Sequence, residues 1–229
     1  MKEQLVIAID GPAGAGKSTV ARQVAERLGY MYVDTGAMYR AMALAMLRAR
    51  VPLEDPAAVE RCAAEVPFEV DVSSGITRVF LQGEDVTGQI RTPEVSRIVS
   101  AVAAVPGVRR RLVKLQRRLA ERGGIVMDGR DIGTVVLPGA DVKIFLTASL
   151  EERARRRWRE WWQAGRTDDM EDVRRSLEER DRLDSARDES PLRVAPDAVV
   201  IDTTGESIER VVARILRICR GRLDRCSTE

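Results

Sequence analysis

The sequence predicts an α/β fold: a parallel sheet between two helical layers, with a small inserted antiparallel lobe and a short arginine-rich lid. Three observations predict it. Short β-branched runs at 4–10, 124–128, 142–146 and 198–202 alternate with segments of helical periodicity, the order of a parallel sheet with right-handed crossovers. A glycine-rich stretch, "DGPAGAGKST", stands between the first run and the first helix. Residues 68–90 change texture, to alternation around a Ser-Ser-Gly turn, which reads as a β-hairpin. With 229 residues the chain is long enough for one such domain and a sizeable core.

"QLVIAID" (4–10) is short, apolar and bounded by glycine, as a buried strand is. "KSTVARQVAERLG" places Val20, Val24 and Leu28 on one helical face and stops at Gly29, a usual C-terminal cap. "YMYVD" is a second strand, "AMYRAMALAMLRAR" (37–50) a helix broken by Pro52, and "DPAAVERCAAEV" another helix. Beyond the hairpin, "TPEVSRIVSAVAAV" and "PGVRRRLVKLQRRLAERG" read as two helices, with Pro93 and Pro106 near their starts, where proline is tolerated. "GIVMDG" and "VKIFLTA" are core strands, and Ser149 with Glu152 forms a capping box for "SLEERARRRWREWWQAG". A charged helix, "DMEDVRRSLEERDRLDSARD", a last strand, "DAVVIDTT", and a closing helix, "SIERVVARILRICR", complete the pattern, and the tail "RGRLDRCSTE" is expected to fray. The core then comprises about 1–65, 106–150 and 190–229, the inserted lobe about 66–105 and the lid about 153–169.

Composition narrows the function. Apolar residues make up 44% and charged ones 32%, a globular balance. No apolar run approaches the ~20 residues of a membrane helix, and the N-terminal apolar stretch ends in Asp10 rather than a cleavage site. A cytoplasmic protein is expected. Three scattered cysteines and no histidine argue against structural zinc and any imidazole base. Carboxylates, lysine, arginine, hydroxyls, backbone or a metal must then do the chemistry. A net charge of +2 argues against a general nucleic-acid binder. Of the 38 cations 34 are arginine. Arginine grips flat anions such as phosphate with a two-pronged fork, although genomic base composition or a hot habitat gives the same bias.

Gly11-Pro12-Ala13-Gly14-Ala15-Gly16-Lys17-Ser18 fits G-x-x-x-x-G-K-[ST] at every fixed position, with a strand before it and a helix after it. This is a phosphate-binding P-loop, so the sheet is of the three-layer P-loop NTPase type. The backbone N–H groups of Gly11 and of Ala13 to Thr19 ring an anion at a helix N-terminus, with Pro12 shaping the turn between them. Lys17 reaches the β- and γ-phosphates, and the Ser18 hydroxyl ligates Mg²⁺. ATP is the expected donor. The loop does not say whether water or a metabolite receives the phosphoryl group.

Three clusters bear on the acceptor. Thr35 opens a helix that carries Arg40 about one turn later. Asp128, Arg130 and Asp131 end a core strand, where ligands sit in such sheets. Arg180, Asp184 and Arg187, spaced by four and three, share one helix face. Each also has a plain structural reading: a solvated helix charge, loop caps and a surface ion-pair ladder.

Together, "DGPAGAGKST", "DTGAMYR", "GEDVTGQIR", "DGRDIGTVVLPGADVKIFL" and "RDRLDSAR" resemble the bacterial cytidylate (CMP) kinase family, in the same order and over nearly the whole chain. The first motif is generic to P-loop proteins, and the combination of the others is specific. The resemblance implies a monomer that transfers a phosphoryl group from ATP to CMP or dCMP, with "GEDVTGQIR" in the inserted nucleotide-monophosphate lobe. By that likeness Arg40 and Arg130 hold the CMP phosphate, and Thr35 and Asp131 accept from the cytosine amino group. Arg109 and Arg187 donate to the ring, and Ser100, Arg180 and Asp184 lie near the sugar. Thr35 stands where the family often has serine, which keeps the hydroxyl. Arg109 shares its place in "RRR" with Arg110 as an alternative.

Phosphoryl transfer needs positioning and positive charge more than a covalent catalyst, so Lys17 and the arginines suffice without histidine. Asp128 ends its strand as a Walker-B carboxylate would and is a second candidate for Mg²⁺. The five arginines within 153–159 would repel one another without an anion. Arg153 and Arg157, or Arg156, are therefore expected to close over the transferring phosphate as a lid, while the three tryptophans beside them pack on the core. The rival readings are another P-loop metabolite kinase, a GTPase switch and a nucleic-acid protein. Against the second, the chain has no asparagine and so no N-K-x-D guanine motif.

Overall fold

The computed structural model describes residues 4–73, 75–163 and 165–226. The chain opens with β1 (Val6–Asp10), α1 (Lys17–Leu28), β2 (Met31–Asp34), α2 (Thr35–Arg48) and α3 (Pro56–Glu65). The inserted lobe follows, with β3 (Phe68–Asp71), β4 (Arg78–Leu81), β5 (Glu84–Asp85) and α4 (Pro93–Ala104). The chain returns through α5 (Pro106–Ala120) to β6 (Ile125–Asp128), a π-helical turn at Ile132–Val136 and β7 (Val142–Thr147). It ends with α6 (Leu150–Gln163), α7 (Met170–Ser185), β8 (Val199–Asp202) and α8 (Ile208–Cys226).

The main sheet is parallel throughout, in the order β2-β6-β1-β7-β8. Period-two alternation sorts its side chains into two cores. Ile7, Ile9, Val126, Ile144 and Leu146 face α1 and α8, where they meet Val20, Val24, Val212 and Ile215. Ala8, Val33, Ile125 and Met127 face the other way, toward Met38, Met42 and Met46 of α2 and Leu112 of α5. That second core runs on without a break into Val79 and Leu81 of β4 and Val95 and Val99 of α4. Among the described residues no helix is long and apolar enough to cross a membrane.

Local chemistry explains the boundaries, and in three places revises the expected ones. Helix α2 starts at Thr35 because the Asp34 carboxylate accepts from the Ala37 N–H and caps it. The lobe has three strands rather than a single hairpin. Gln82 and Gly83 both have positive φ, 52° and 81°, the pairing that a tight hairpin turn needs. That turn folds β5 back on β4. The expected capping box of α6 is half made. Ser149 Oγ accepts from the Glu152 N–H at 3.2 Å, but the Ser149 N–H goes to Thr204 Oγ1 and the Glu152 carboxylate to Arg155 and Arg156. Residues 220–226 continue α8 instead of fraying, with Leu223 packed against the α1–α8 core. The last three residues of the tail lie outside the described ones.

Candidate active site

Three neighbouring strands, β2, β6 and β1, each end in an aspartate: Asp34, Asp128 and Asp10. Their C-terminal ends open into a cleft of about 920 Å³. The phosphate loop forms one wall. Gly16 takes φ 85° at the N-terminus of α1, and no side chain caps that helix, so its first N–H groups stay open to an anion. Lys17 Nζ folds over the loop to Pro12 O at 2.7 Å. Burial lowers its pKa, and the Arg130 guanidinium adds to the shift. Ser18 Oγ donates to Asp128 Oδ2 at 2.9 Å, and the Tyr32 hydroxyl donates to Oδ1 at 2.9 Å. Burial pushes the Asp128 carboxyl up to about 7, with Asp34 beside it in the same sense and Lys17 opposed.

The facing wall is cationic. Arg40, Arg130, Arg157, Arg180 and Arg187 line it. Arg40 is buried, and burial takes its pKa down to about 10. It has neither an ion-paired nor a hydrogen-bonded partner among the described residues. Arg180 is lowered well below its usual value by burial, and Arg40 and Arg130 add repulsion. The Nε atoms of Arg180 and Arg187 are buried without an acceptor. Guanidinium groups crowded and dehydrated in this way call for an anion.

Asp184 is the hub of the neighbouring polar set. It is 1% exposed and accepts from Ser100 Oγ at 3.3 Å, from Arg130 Nε at 2.8 Å and from Arg187. Burial works against its charge, yet Arg130, Arg187 and Arg180 hold its carboxyl below the usual value. Asp131 pairs with Arg109 in full burial, and the Arg109 guanidinium lies over the Tyr39 ring at 5.6 Å. Thr35 Oγ1 spends its proton on the Asp128 carbonyl, at 2.7 Å. Its oxygen is therefore left as an acceptor, as the Asp131 carboxylate is.

The arginine-rich helix divides its residues among different tasks. Arg153, expected over the transferring phosphate, lies behind the phosphate loop instead. It donates to Ala13 O at 3.2 Å and Ala148 O at 3.0 Å and pairs with Asp181. Arg156 reaches Thr203 in the loop after β8, through Oγ1 at 3.0 Å and O at 2.5 Å. Arg157 lines the cleft and pairs with Glu160 at 3.1 Å. Part of the expected repulsion is relieved within the protein: Asp181 pairs with Arg153, and Glu152 with both Arg155 and Arg156. Trp158 and Trp161 pack beside Ala13, Val173 and Leu177, but Trp162 is 61% exposed and only stacks on Trp158.

A family model described as cytidylate kinase matches residues 7–221. The chain belongs to the cytidylate kinase family. It is 54% identical to a cytidylate kinase of Desulfitobacterium hafniense, over 98% of this chain and 96% of that one. It is 52% identical to a cytidylate kinase of Geobacillus kaustophilus, over 97% of this chain and all of that one. Among solved structures, a shikimate kinase from Acinetobacter baumannii in complex with shikimate shares the fold, with a TM-score of 0.50 at 19% identity and coverage of 96% and 95%. The P-loop kinase fold expected from the sequence is thus the one found.

Around this cleft the structure gathers Thr35, Arg40, Ser100, Arg109, Arg130, Asp131, Arg180, Asp184 and Arg187. Arg110 lies outside it, paired with Glu60 on the surface. Sequence reasoning missed Asp34, Tyr39 and Arg91. Asp34 caps α2 with one oxygen and holds Arg91 of the inserted lobe with the other, at 2.7 Å. An Asp three residues before the first helical alanine was the signal for the cap. Tyr39 stands four residues after Thr35, the spacing of one helix face. Arg91 closes the "GEDVTGQIR" motif, but no role was read for it.

Proposed function

We propose that this phosphotransferase moves the γ-phosphoryl group of ATP to CMP or dCMP, giving ADP and CDP or dCDP, as a cytoplasmic monomer of pyrimidine nucleotide metabolism with no nucleic-acid partner. The observation that carries the reading is the pair of fixed acceptors, Thr35 Oγ1 and the Asp131 carboxylate, beside the Arg109 and Arg187 donors. Cytosine offers one amino donor and two acceptors on its pairing edge, the complement of that set. Uracil would set a carbonyl oxygen against two acceptors. A site left with unpaired buried groups rejects such an analogue by ~10⁴ or more.

The cationic wall suits the monophosphate. Arg40 and Arg130 hold its oxygens, which gives the dehydrated Arg40 guanidinium a charge partner. Ser100, Arg180 and Asp184 stand at the sugar. Lys17 and the open N–H groups of α1 hold the triphosphate, so charge accumulating between donor and acceptor faces cations on both sides. Arg157 closes from the lid (about 153–169) as the inserted lobe (about 66–105) folds in, excluding water. Arg153 serves the same transfer by bracing Ala13 of the loop.

The Ser18 hydroxyl and the Asp128 carboxylate are hard oxygen donors 2.9 Å apart, a set that fits Mg²⁺. When bound, the ion neutralises charge on the β- and γ-phosphate oxygens. A coupled assay of ADP release with CMP, dCMP and UMP tests the reading. CMP and dCMP should turn over, with UMP slower in kcat/KM by orders of magnitude. Comparable values for UMP and CMP would remove the cytosine assignment.

A further inference from the structure

Asp10 is the last residue of β1 and the one immediately before the phosphate loop. It is 5% exposed and lies outside the cleft lining. Its two oxygens split between two amides: Oδ1 accepts from the Ile132 N–H and Oδ2 from the Gly133 N–H, both at 2.8 Å. Those amides open the π-helical turn that follows directly on Arg130 and Asp131. The ladder between β1 and β6 ends at Ile9 and Asp128, with one further bond from Gly129 N–H to Ile9 O at 3.0 Å. Beyond that point the Asp10 carboxylate continues the link across the two walls. Gly133 sits directly against the carboxylate. A Cβ there would stand 3.4 Å from Asp10 Oδ2 and 3.1 Å from Lys143 Cδ, and Lys143 is itself tied to Asp197 at 2.9 Å.

We propose that Asp10 is a positioning residue that sets the spacing between the phosphate loop and the acceptor turn, so that the triphosphate held by Lys17 and the monophosphate held by Arg130 meet at reacting distance. The proposal rests on the functional reading given above. An error of ~1 Å in such a spacing costs about 100-fold in rate. It leaves the binding of either nucleotide alone almost unchanged, because each contacts mainly one wall.

Asp10→Asn offers one oxygen to one amide and turns an NH₂ toward the other, a donor against a donor, so the turn must shift. The experiment measures kcat with ATP and CMP and the Kd of each nucleotide alone. It also measures the Kd of adenosine and cytidine joined 5′ to 5′ through a polyphosphate, which spans both sites. D10N is expected to lose about 100-fold in kcat. It should bind the joined ligand at least about tenfold more weakly, since effective concentration falls when the spacing is wrong, with both separate nucleotides within about threefold. Equal weakening of all three ligands would mark Asp10 as merely structural and overturn the proposal. So would a kcat and a joined-ligand affinity close to wild type. If D10N does not fold, Asp10→Glu, which keeps the charge but lengthens the link by one methylene, is read by the same measurements. A wild-type chain that fails to bind or phosphorylate CMP would sink the functional reading, and this proposal with it. Failure confined to the variant comparison would sink only the role of Asp10.

Discussion

Gly36 decides where the Arg40 guanidinium rests. A Cβ at this position would lie 2.9 Å from Arg40 Nη1 and 3.1 Å from Asp34 Oδ1, so even alanine displaces the arginine or the cap beside it. Gly36→Ala is predicted to raise KM for CMP about tenfold, equivalent to about 1.4 kcal/mol, with the ATP KM unchanged. Steady-state kinetics with each substrate varied in turn checks this, and an unchanged CMP KM would separate Arg40 from the phosphate. The Asp10 carboxyl gives a second prediction. Burial pushes it up to about 6 from 3.8, against the pull of its two amides. The folded chain therefore holds this proton more tightly than the unfolded chain does. The resulting stabilisation is fullest below 3.8 and is lost as pH rises through about 6. Between pH 4.5 and 7.5 that amounts to about 2 kcal/mol. Asp128 is shifted the same way but is common to wild type and D10N, so the difference between them isolates Asp10. Urea unfolding at both pH values reads it, and a difference independent of pH would contradict the assignment.

The elements were legible wherever a local rule set them. Strand runs, caps and prolines placed β1, β2, α3, α4 and α5 close to where they lie, because each rule acts within a few residues. The Gln82–Gly83 turn was missed because glutamine rarely takes positive φ, and only the pairing of β5 with β4 holds it there. The π-helical turn at 132–136 has no sequence signature, since the Asp10 carboxylate that secures it stands more than a hundred residues away. Helix α6 makes the same point about function. Its arginines are equivalent in sequence, yet Arg153 braces the loop, Arg156 reaches Thr203, and Arg157 and Arg159 line the cleft beside Arg156. The lid role proposed for Arg157 predicts that Arg157→Ala lowers kcat by about 100-fold or more while calorimetric CMP affinity changes little. An unchanged kcat would pass the role to a neighbour.

At the scale of the whole molecule, the cationic wall works against folding through its own repulsion and dehydration. Arg40, Arg157 and Arg180 all have pKa values lowered by burial among like charges, so an anion that enters the cleft should stabilise the fold. Sulfate is predicted to raise Tm more than chloride at matched ionic strength. Because sulfate stabilises proteins in general, the test is whether Arg180→Ala narrows that gap, and an equal gap in both would refute the stored repulsion. The sequence by itself determined the α/β order, the phosphate loop and, through ordered motifs, the family. These rest on short-range geometry: glycine φ, helical spacing and strand alternation. Only the tertiary structure decided that Arg130 and Arg187 share Asp184, that Thr35 is left as an acceptor, and which arginines of α6 line the cleft. Those outcomes follow from desolvation and from partners brought together by the sheet order, and neither quantity exists until the chain has folded.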